Sequence, residues 1–343
     1  MLNPNISYSG EDSEICELAS IIIVTYNHLK YLNDCITSIM KQDYPHEIIL
    51  VDNCSTDGTI EYVKENFPDI TIIDSQKNRG YGAGNNLGFK HANGKYIVIL
   101  NPDVIVNDFW LENLISPLKH RNRVITTPMV LFFDGSKVNT FGNSNHFTGL
   151  SFTNGLGADP SLFCHTIHTS GFSGACFALT KDAFMEIGGF DELFFLYCED
   201  SDFSWRANIL GYDILAIPDS VIYHDYQLRV SPEKIYHLEK GRYIILRKYF
   251  SLKELIILSP SLLMTEVLTL GYASKFGITG FRFKLKAIAD GFGVSVITSL
   301  KGQMDFSSLD KTIPLDQLAF TRIDKSVKIF ANKIFESNMR ILK

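Results

Sequence analysis

The sequence has no C-x-x-C pair, although it holds six cysteines: Cys16, Cys35, Cys54, Cys164, Cys176 and Cys198. Thiols scattered in this way speak against a zinc ribbon and against a disulfide framework, and predict reduced, mostly buried thiols in a cytosolic protein. No apolar stretch reaches the roughly 18–20 uninterrupted residues that a membrane-spanning helix needs. The most apolar segment, LKELIILSPSLLMTEVLTLGYASKFG, is broken by Pro260 and Glu266. The start, MLNPNISYSGEDSEICE, is polar and acidic, without the basic opening or apolar run of a secretory signal. There is no internal repeat and no low-complexity tract. No nucleic-acid partner is expected.

The chain has 343 residues, 45% hydrophobic and 20% charged, enough to bury a sizeable core in one large domain or two. Its formal net charge of −6 conceals a split. Residues 1–240 carry 16 Lys+Arg against 30 Asp+Glu, a net of −14, and residues 241–343 carry 16 against 8, a net of +8. A basic tail behind an acidic body predicts that the tail meets an anionic surface. In that tail Lys275, Arg282, Lys284 and Lys286 alternate with Phe276, Phe281, Phe283 and Leu285. That mixture suits helices lying in a lipid headgroup layer; a helical subdomain packed on the rest of the chain is the other reading.

Alternating patterns fill the first 100 residues. SIIIVT (20–25), EIILVD (47–52), ITIIDS (70–75) and KYIVIL (95–100) read as strands. Between them Leu29, Leu32, Ile36, Ile39 and Met40 keep helical spacing, STDGTIEYVKENF opens with capping residues, and GYGAGNNLGFKHA begins a glycine-rich helix. Four βα alternations predict an α/β protein with a mainly parallel sheet, helices on both faces, and ligands at the carboxyl ends of the strands. From about 128 to 170 the pattern weakens, as expected for long loops at a variable binding surface. SGACFALTKDAFMEIGGFDELFF then reads as strand, helix and Gly-Gly stop. A helix at about 200–210, a strand after it and a helix over 232–249 follow.

Several acids fall at positions where chemistry is expected. Asp52 ends a strand in VDNCSTDGT; Ser55, Thr56 and Asp57 can cap the next helix, which leaves Asp52 for a base or ribose. Gly80, Gly82, Gly84 and Gly88 permit close backbone approach, to a phosphate or to a packed helix. In VILNPDV, Pro102 ends the strand and Asp103 follows it, either as a turn residue or as one carboxylate of a Mg²⁺ or Mn²⁺ shell. Glu199, Asp200 and Asp202 crowd three acids into four residues. Like charges this close raise one another's proton affinity, which suits a general base, although acids at a helix start also answer its dipole. His224 follows a β-branched run in VIYHDY.

The ordered set SIIIVTYN, VDNCSTDGT, NRGYGAGNNLGFKHANGKYIVILNPDV, SGACFALTKDAFMEIGGFDELFFLYCEDSDFSWR and the histidine at 224 resembles the family 2 nucleotide-sugar glycosyltransferases of the GT-A fold. It looks most like their rhamnosyltransferase-type branch, over roughly residues 19–245. The resemblance implies a Rossmann-like, mainly parallel sheet flanked by helices. It implies an N-terminal extension over 1–18, a GT-A domain over 19–249 and a basic, apolar helical C-terminal region over 250–343. By the same resemblance Thr25, Tyr26, Asn27, Asp52, Asn78, Gly80, Asn101 and Asp103 bind the donor nucleotide and sugar. Asn101-Pro102-Asp103 stands for the family's D-x-D, with an amide in place of its first acid, so a divalent metal rests on Asp103, with His224 as a second ligand. Asp200 matches the catalytic base, and Glu199, Trp205 and Arg206 are expected near the acceptor or the diphosphate.

The implied activity is inverting transfer of a sugar from a dTDP- or UDP-sugar to a saccharide or lipid-linked saccharide. It is expected in the cytoplasm, peripheral on the cytoplasmic face of the membrane. Two rival readings are a sugar nucleotidyltransferase and a non-catalytic nucleotide-sugar or glycan-binding protein. The first is disfavoured because TYNHLKYL stands where a glycine-rich basic loop would follow the first strand, and the second because Asp103 and Asp200 are both present.

Overall fold

The computed structural model of the chain describes residues 17–226, 231–317 and 322–341. The first half runs β1 (Ala19–Thr25), α1 (Leu29–Met40), β2 (His46–Asp52), α2 (Thr59–Asn66), β3 (Thr71–Asp74), α3 (Tyr81–Phe89), β4 (Tyr96–Leu100), β5 (Val104–Val106), α4 (Trp110–His120) and β6 (Val124–Phe132). There follow β7 (Val138–Phe141), β8 (Asn143–Asn145), β9 (Ser151–Thr153), β10 (Ile167–Thr169), β11 (Cys176–Thr180), α5 (Lys181–Ile187), α6 (Glu199–Ile209) and β12 (Asp213–His224). The C-terminal region is helical: α7 (Pro232–Tyr249), α8 (Leu252–Ile257), α9 (Ser259–Ala273), α10 (Gly277–Gly293) and α11 (Arg322–Met339).

The main sheet has the order β10-β12-β6-β11-β4-β1-β2-β3, with β5 added to β12 and β7 to β6. The four strands expected from alternation form a parallel block, β3-β2-β1-β4, and β12 is parallel to β6. β11 enters antiparallel between β4 and β6, so the sheet is parallel with antiparallel insertions. β1 shows why an unbroken apolar run belongs here. Ile21 and Ile23 face a core shared with α1 and α4, and Ile22 and Val24 face a second core shared with α5, α6 and their phenylalanines. Burial on both faces removes the polar–apolar alternation of a half-exposed strand.

The stretch from 124 to 170 departs from the loop expectation. β6 is a nine-residue inner strand, buried along eight of its positions, and β7 to β10 are short strands around it. Thr126 and Thr127 disguise it in the sequence; their hydroxyls donate to the carbonyls of Leu114 at 2.7 Å and Cys176 at 2.9 Å. Pro128, which cannot donate to a ladder, lies beside a bulge where the register with β12 shifts between Ile217 and Val221.

The C-terminal helices pack on the sheet domain through a third core. Phe147, Phe194 and Trp205 from the sheet domain join Tyr249, Phe250, Leu258, Met264 and Phe335. Part of the basic stripe is sealed inside. Lys284 is fully buried, bonded to Glu239, 2.9 Å from Glu266 and 2.8 Å from the Thr269 hydroxyl. Among the described residues no helix is long and apolar enough to cross a membrane. The cysteines correct their expectation in part: all five described are free, but only Cys35 and Cys176 are buried, and Cys54 and Cys164 are exposed.

Candidate active site

β1 and β2 end side by side, with Thr25 in register with Asp52. Asp52 is fully buried, and its Oδ2 accepts the Ser55 amide at 2.8 Å. Its Oδ1 and the neighbouring Thr25 Oγ1 are buried without partners. A buried polar atom left unpaired costs about 1–3 kcal/mol, so these two atoms are poised for a ligand's polar groups. Tyr26, the next residue, is 46% exposed. Asn27 takes a left-handed conformation (φ 56°) and fastens two loops: its Oδ1 accepts the Thr56 amide at 2.8 Å and its own amide donates to Ser55 Oγ at 2.9 Å.

The glycine-rich segment closes over this edge. Asn78 Oδ1 accepts the Gly80 amide at 2.9 Å. Gly80 has φ +86°, and a Cβ there would lie 2.3 Å from the Phe195 carbonyl oxygen, which also accepts the Tyr81 amide at 3.1 Å. Only glycine fits that approach. Gly84 and Gly88 serve packing instead: a Cβ on either would strike Val24 or Ile22 of β1, at 2.7 and 2.5 Å. Asn53, which lies in the VDNCSTDGT stretch but has no role that the sequence alone suggests, ties the parts together, donating to the Gly80 carbonyl at 3.0 Å and accepting from Ser75 Oγ at 3.1 Å.

Past β4 the chain turns through Asn101, Pro102 and Asp103 into β5, whose antiparallel register sets Val104 opposite His224. The Asp225 amide donates to the Asp103 carbonyl at 3.0 Å, and His224 Nε2 stands 3.2 Å from Asp103 Oδ1. Burial alone would raise the Asp103 carboxyl. The hydrogen bond and charge of His224, with the charge of His28, outweigh burial and hold it below the usual carboxylate range. Tyr226 stacks on His224 with centroids 5.4 Å apart. Lys234 bonds the Tyr226 hydroxyl and sits 5.0 Å from the centroids of both Tyr226 and Tyr197.

On the other side, Tyr197 and Cys198 are consecutive left-handed residues (φ 63° and 67°) that aim the start of α6 at the cleft. Such conformations cost on the order of 1 kcal/mol each for residues with a Cβ, and they concentrate at functional sites. Asp200 accepts the Ser201 amide on Oδ1 at 2.7 Å and the Gly174 amide on Oδ2 at 3.0 Å. Glu199 is 6% exposed and its Oε2 has no partner. Burial raises the pKa of both: Asp200 moves above the usual carboxylate range, and Glu199, with the Asp200 charge as a second cause, is pushed up to about 8.

A short strip joins the two halves. The Gly174 amide holds Asp200, the Gly174 carbonyl accepts from Tyr81 Oη at 2.5 Å, and the Ala175 carbonyl accepts the Asn101 amide at 2.9 Å. Trp205 and Arg206 do not line this cleft. Trp205 is 1% exposed and packs on Tyr249 and Phe250. Arg206 bonds Asp202 at 3.1 Å and the Ile187 carbonyl at 2.6 Å. Their expected place at the acceptor or diphosphate is therefore corrected: the first turn of α6 faces the cleft, whereas Trp205 turns to the joint with the C-terminal helices and Arg206 to α5.

Among the described residues no group of three or more His, Cys, Asp and Glu is placed to hold a metal ion. The Asp103–His224 pair still fits two positions of an octahedral shell. Two donors about 2.1 Å from one ion and at right angles stand about 3 Å apart, close to the 3.2 Å observed. One carboxylate and one imidazole suit Mn²⁺ or Mg²⁺ whose remaining ligands are diphosphate and water.

The carboxyl edge of the sheet brings together a buried acid, an Asn-Pro-Asp turn and an acid-headed helix, on a sheet-and-helix arrangement of the GT-A glycosyltransferase type. Residues 20–188, just under half of the chain, match the family described as Glycosyl transferase family 2. The chain is 30% identical over 199 residues to a low-salt glycan biosynthesis hexosyltransferase, Agl10, of Haloferax volcanii; the match covers 55% of this chain and 61% of the relative. It is 24% identical over 262 residues to an N-acetylglucosaminyl-diphospho-decaprenol L-rhamnosyltransferase of Mycobacterium tuberculosis, covering 67% of this chain and 84% of that protein. In structure it is similar to GalNAc-T7 with UDP, GalNAc and Mn²⁺, with a TM-score of 0.59 and 18% identity over 75% of this chain and 51% of the other.

Proposed function

We propose that the protein is an inverting, metal-assisted transferase that moves a hexosyl or rhamnosyl group from a dTDP- or UDP-sugar to a hydroxyl of a saccharide or lipid-linked saccharide. Cell-surface polysaccharide or glycan synthesis, on the cytoplasmic face of a membrane, is the setting this reading supplies. The observation that carries it is the Gly174–Ala175 strip, which ties the Asp103 turn and the Asp200 carboxylate to one short segment. The hexosyl- and rhamnosyltransferase relatives, and a fold neighbour holding UDP and Mn²⁺, support it.

Thr25, Tyr26 and Asp52 receive the nucleoside, and Asn78 and Gly80 border the donor from the glycine-rich side. Asp103 and His224 would hold a divalent cation, which when bound stabilises charge on the departing diphosphate. Asp200, oriented by two backbone amides, takes the proton of the acceptor hydroxyl. That oxygen forms its bond to the anomeric carbon as the bond to the diphosphate oxygen breaks on the opposite face. One displacement needs one base, and the upward shift of the Asp200 pKa by burial makes it a stronger proton acceptor than an exposed carboxylate. Asp200→Asn is expected to lower transfer by at least ~1000-fold while leaving nucleoside diphosphate affinity, measured by calorimetry with Mn²⁺, nearly unchanged; normal turnover in that variant would sink the assignment.

A further inference from the structure

Helix α10 packs one side against α7, and its other side is an apolar face that the described residues leave exposed. Its inner side, marked by Gly280, Lys284, Ala287 and Gly291, is buried. A Cβ at Gly291 would come within 2.9 Å of the Tyr243 Cβ on α7, so the two helices are in close contact there. On the outer side Ile278 is 79% exposed, Phe281 41% and Leu285 62%. Their spacing of three and four residues forms one stripe. Arg282 and Lys286, one turn apart, flank it and make no ion pair with any described residue. A groove of about 440 Å³ beside them is lined by Thr279, Arg282, Phe283 and Lys286. The only acid of α10, Asp290, is engaged by the Tyr236 hydroxyl at 2.6 Å.

We propose that this outer face of α10 is a docking surface for an anionic lipid bilayer. Ile278, Phe281 and Leu285 enter the headgroup layer, and Arg282 and Lys286 draw a headgroup phosphate into the groove between them. A stripe of large apolar side chains in water is otherwise costly, at about 25 cal/mol per Å². The flanking charge selects the occupant. A second copy meeting this face about a two-fold axis would set Arg282 and Lys286 against their own like charges, with no acid to answer them. Phosphate answers both. The inference rests on the lipid-linked acceptor reading for its purpose, and on exposure and charge for its geometry.

The test uses the full chain and sedimentation with vesicles of phosphatidylcholine alone or with about 30% phosphatidylglycerol. The protein is expected to pellet with the anionic vesicles only, less so as salt rises. Replacing both cations (R282Q with K286Q) is expected to weaken binding about 30-fold, and I278E with L285E to abolish it. Melting temperature and metal-dependent donor hydrolysis should stay at wild-type values in both variants, since neither touches the cleft. Wild-type protein that ignores anionic vesicles, or variants that pellet as well as wild type, would overturn the proposal. So would a concentration-dependent dimer, lost in the same variants, without vesicle binding. Donor hydrolysis on the same samples separates the outcomes: docking without hydrolysis counts against the transferase reading, and hydrolysis without docking against the surface.

Discussion

Glu199→Gln asks whether the acid beside the base works as a neutral group. Burial, and then the Asp200 charge, raise Glu199 from 4.5 to about 8. A folded-state value above the unfolded one means that the folded chain holds the proton more tightly. The resulting stabilisation is complete below about 4.5 and is lost as pH climbs through 8. At 1.36 kcal/mol per unit the ceiling is about 5 kcal/mol; sharing of the proton with Asp200 brings the expectation to about 2–4 kcal/mol. Glutamine copies the shape of the protonated acid without its titration. Relative to wild type, then, Glu199→Gln should gain about 2–4 kcal/mol of stability between pH 5 and pH 9 in urea unfolding. Turnover at pH 6–7 should stay within about three-fold of wild type, because the acid is mostly neutral there. Asp200 remains, so the acid limb of the rate profile should persist above the ordinary carboxylate range. Equal pH dependence of stability in the two proteins, or a hundred-fold loss of turnover at pH 7, would show that Glu199 acts as a carboxylate.

Two further perturbations test separate parts of the site. Asp103→Ala removes half of the proposed metal pair. Nucleoside diphosphate binding with Mn²⁺ should weaken about 10–100-fold while binding without metal stays the same; unchanged affinity with metal would remove Asp103 from the site. Lys248→Met leaves Asp202 and Asp191, each 2.6 Å from the lost ammonium, without their shared cation. Stripping one partner from a buried pair costs about 3–5 kcal/mol, measured as a shift of the urea midpoint, and a loss below about 1 kcal/mol would contradict the burial argument.

The parallel block was legible because each of its strands is a short apolar run between helical spacings and turn residues, signals that depend on neighbours in the chain. Asp52, Asp103 and Asp200 were legible as acids at the ends of such elements. β6 was not, because its buried threonines look polar until the Leu114 and Cys176 carbonyls that receive them are known. α4, with Pro117 inside it, is equally quiet in the sequence. Asn53 and Gly174 sit inside the sequence motifs, but nothing local signals their roles, which lie in hydrogen bonds to residues 27 and 26 positions away. Trp205 and Arg206 show the opposite failure. Nearness to Asp200 in sequence suggested nearness to substrate, but helical rotation turns Trp205 toward the joint and Arg206 toward α5.

The charge split has two physical origins that composition cannot separate. Some tail cations neutralise buried acids at the joint: Arg242 and Lys284 meet Glu239 and Glu266, and Lys248 meets Asp191 and Asp202. Others, Arg282 and Lys286 among them, make no ion pair with a described residue, and Lys286 lies 5.1 Å from the centroid of the Tyr236 ring. The joint also reaches the chemistry, since Asp202 lies two residues beyond Asp200 on α6 and is held by Lys248 and by the Tyr249 hydroxyl at 2.7 Å. A chain cut at residue 250 would keep those two groups but lose Phe250, Leu258, Met264 and Phe335, exposing Trp205. The apolar cover of α6 would go with them. Such a fragment would lose vesicle binding and catalysis together through unfolding, so only point changes on the outer face of α10 can tell a docking surface from a structural support.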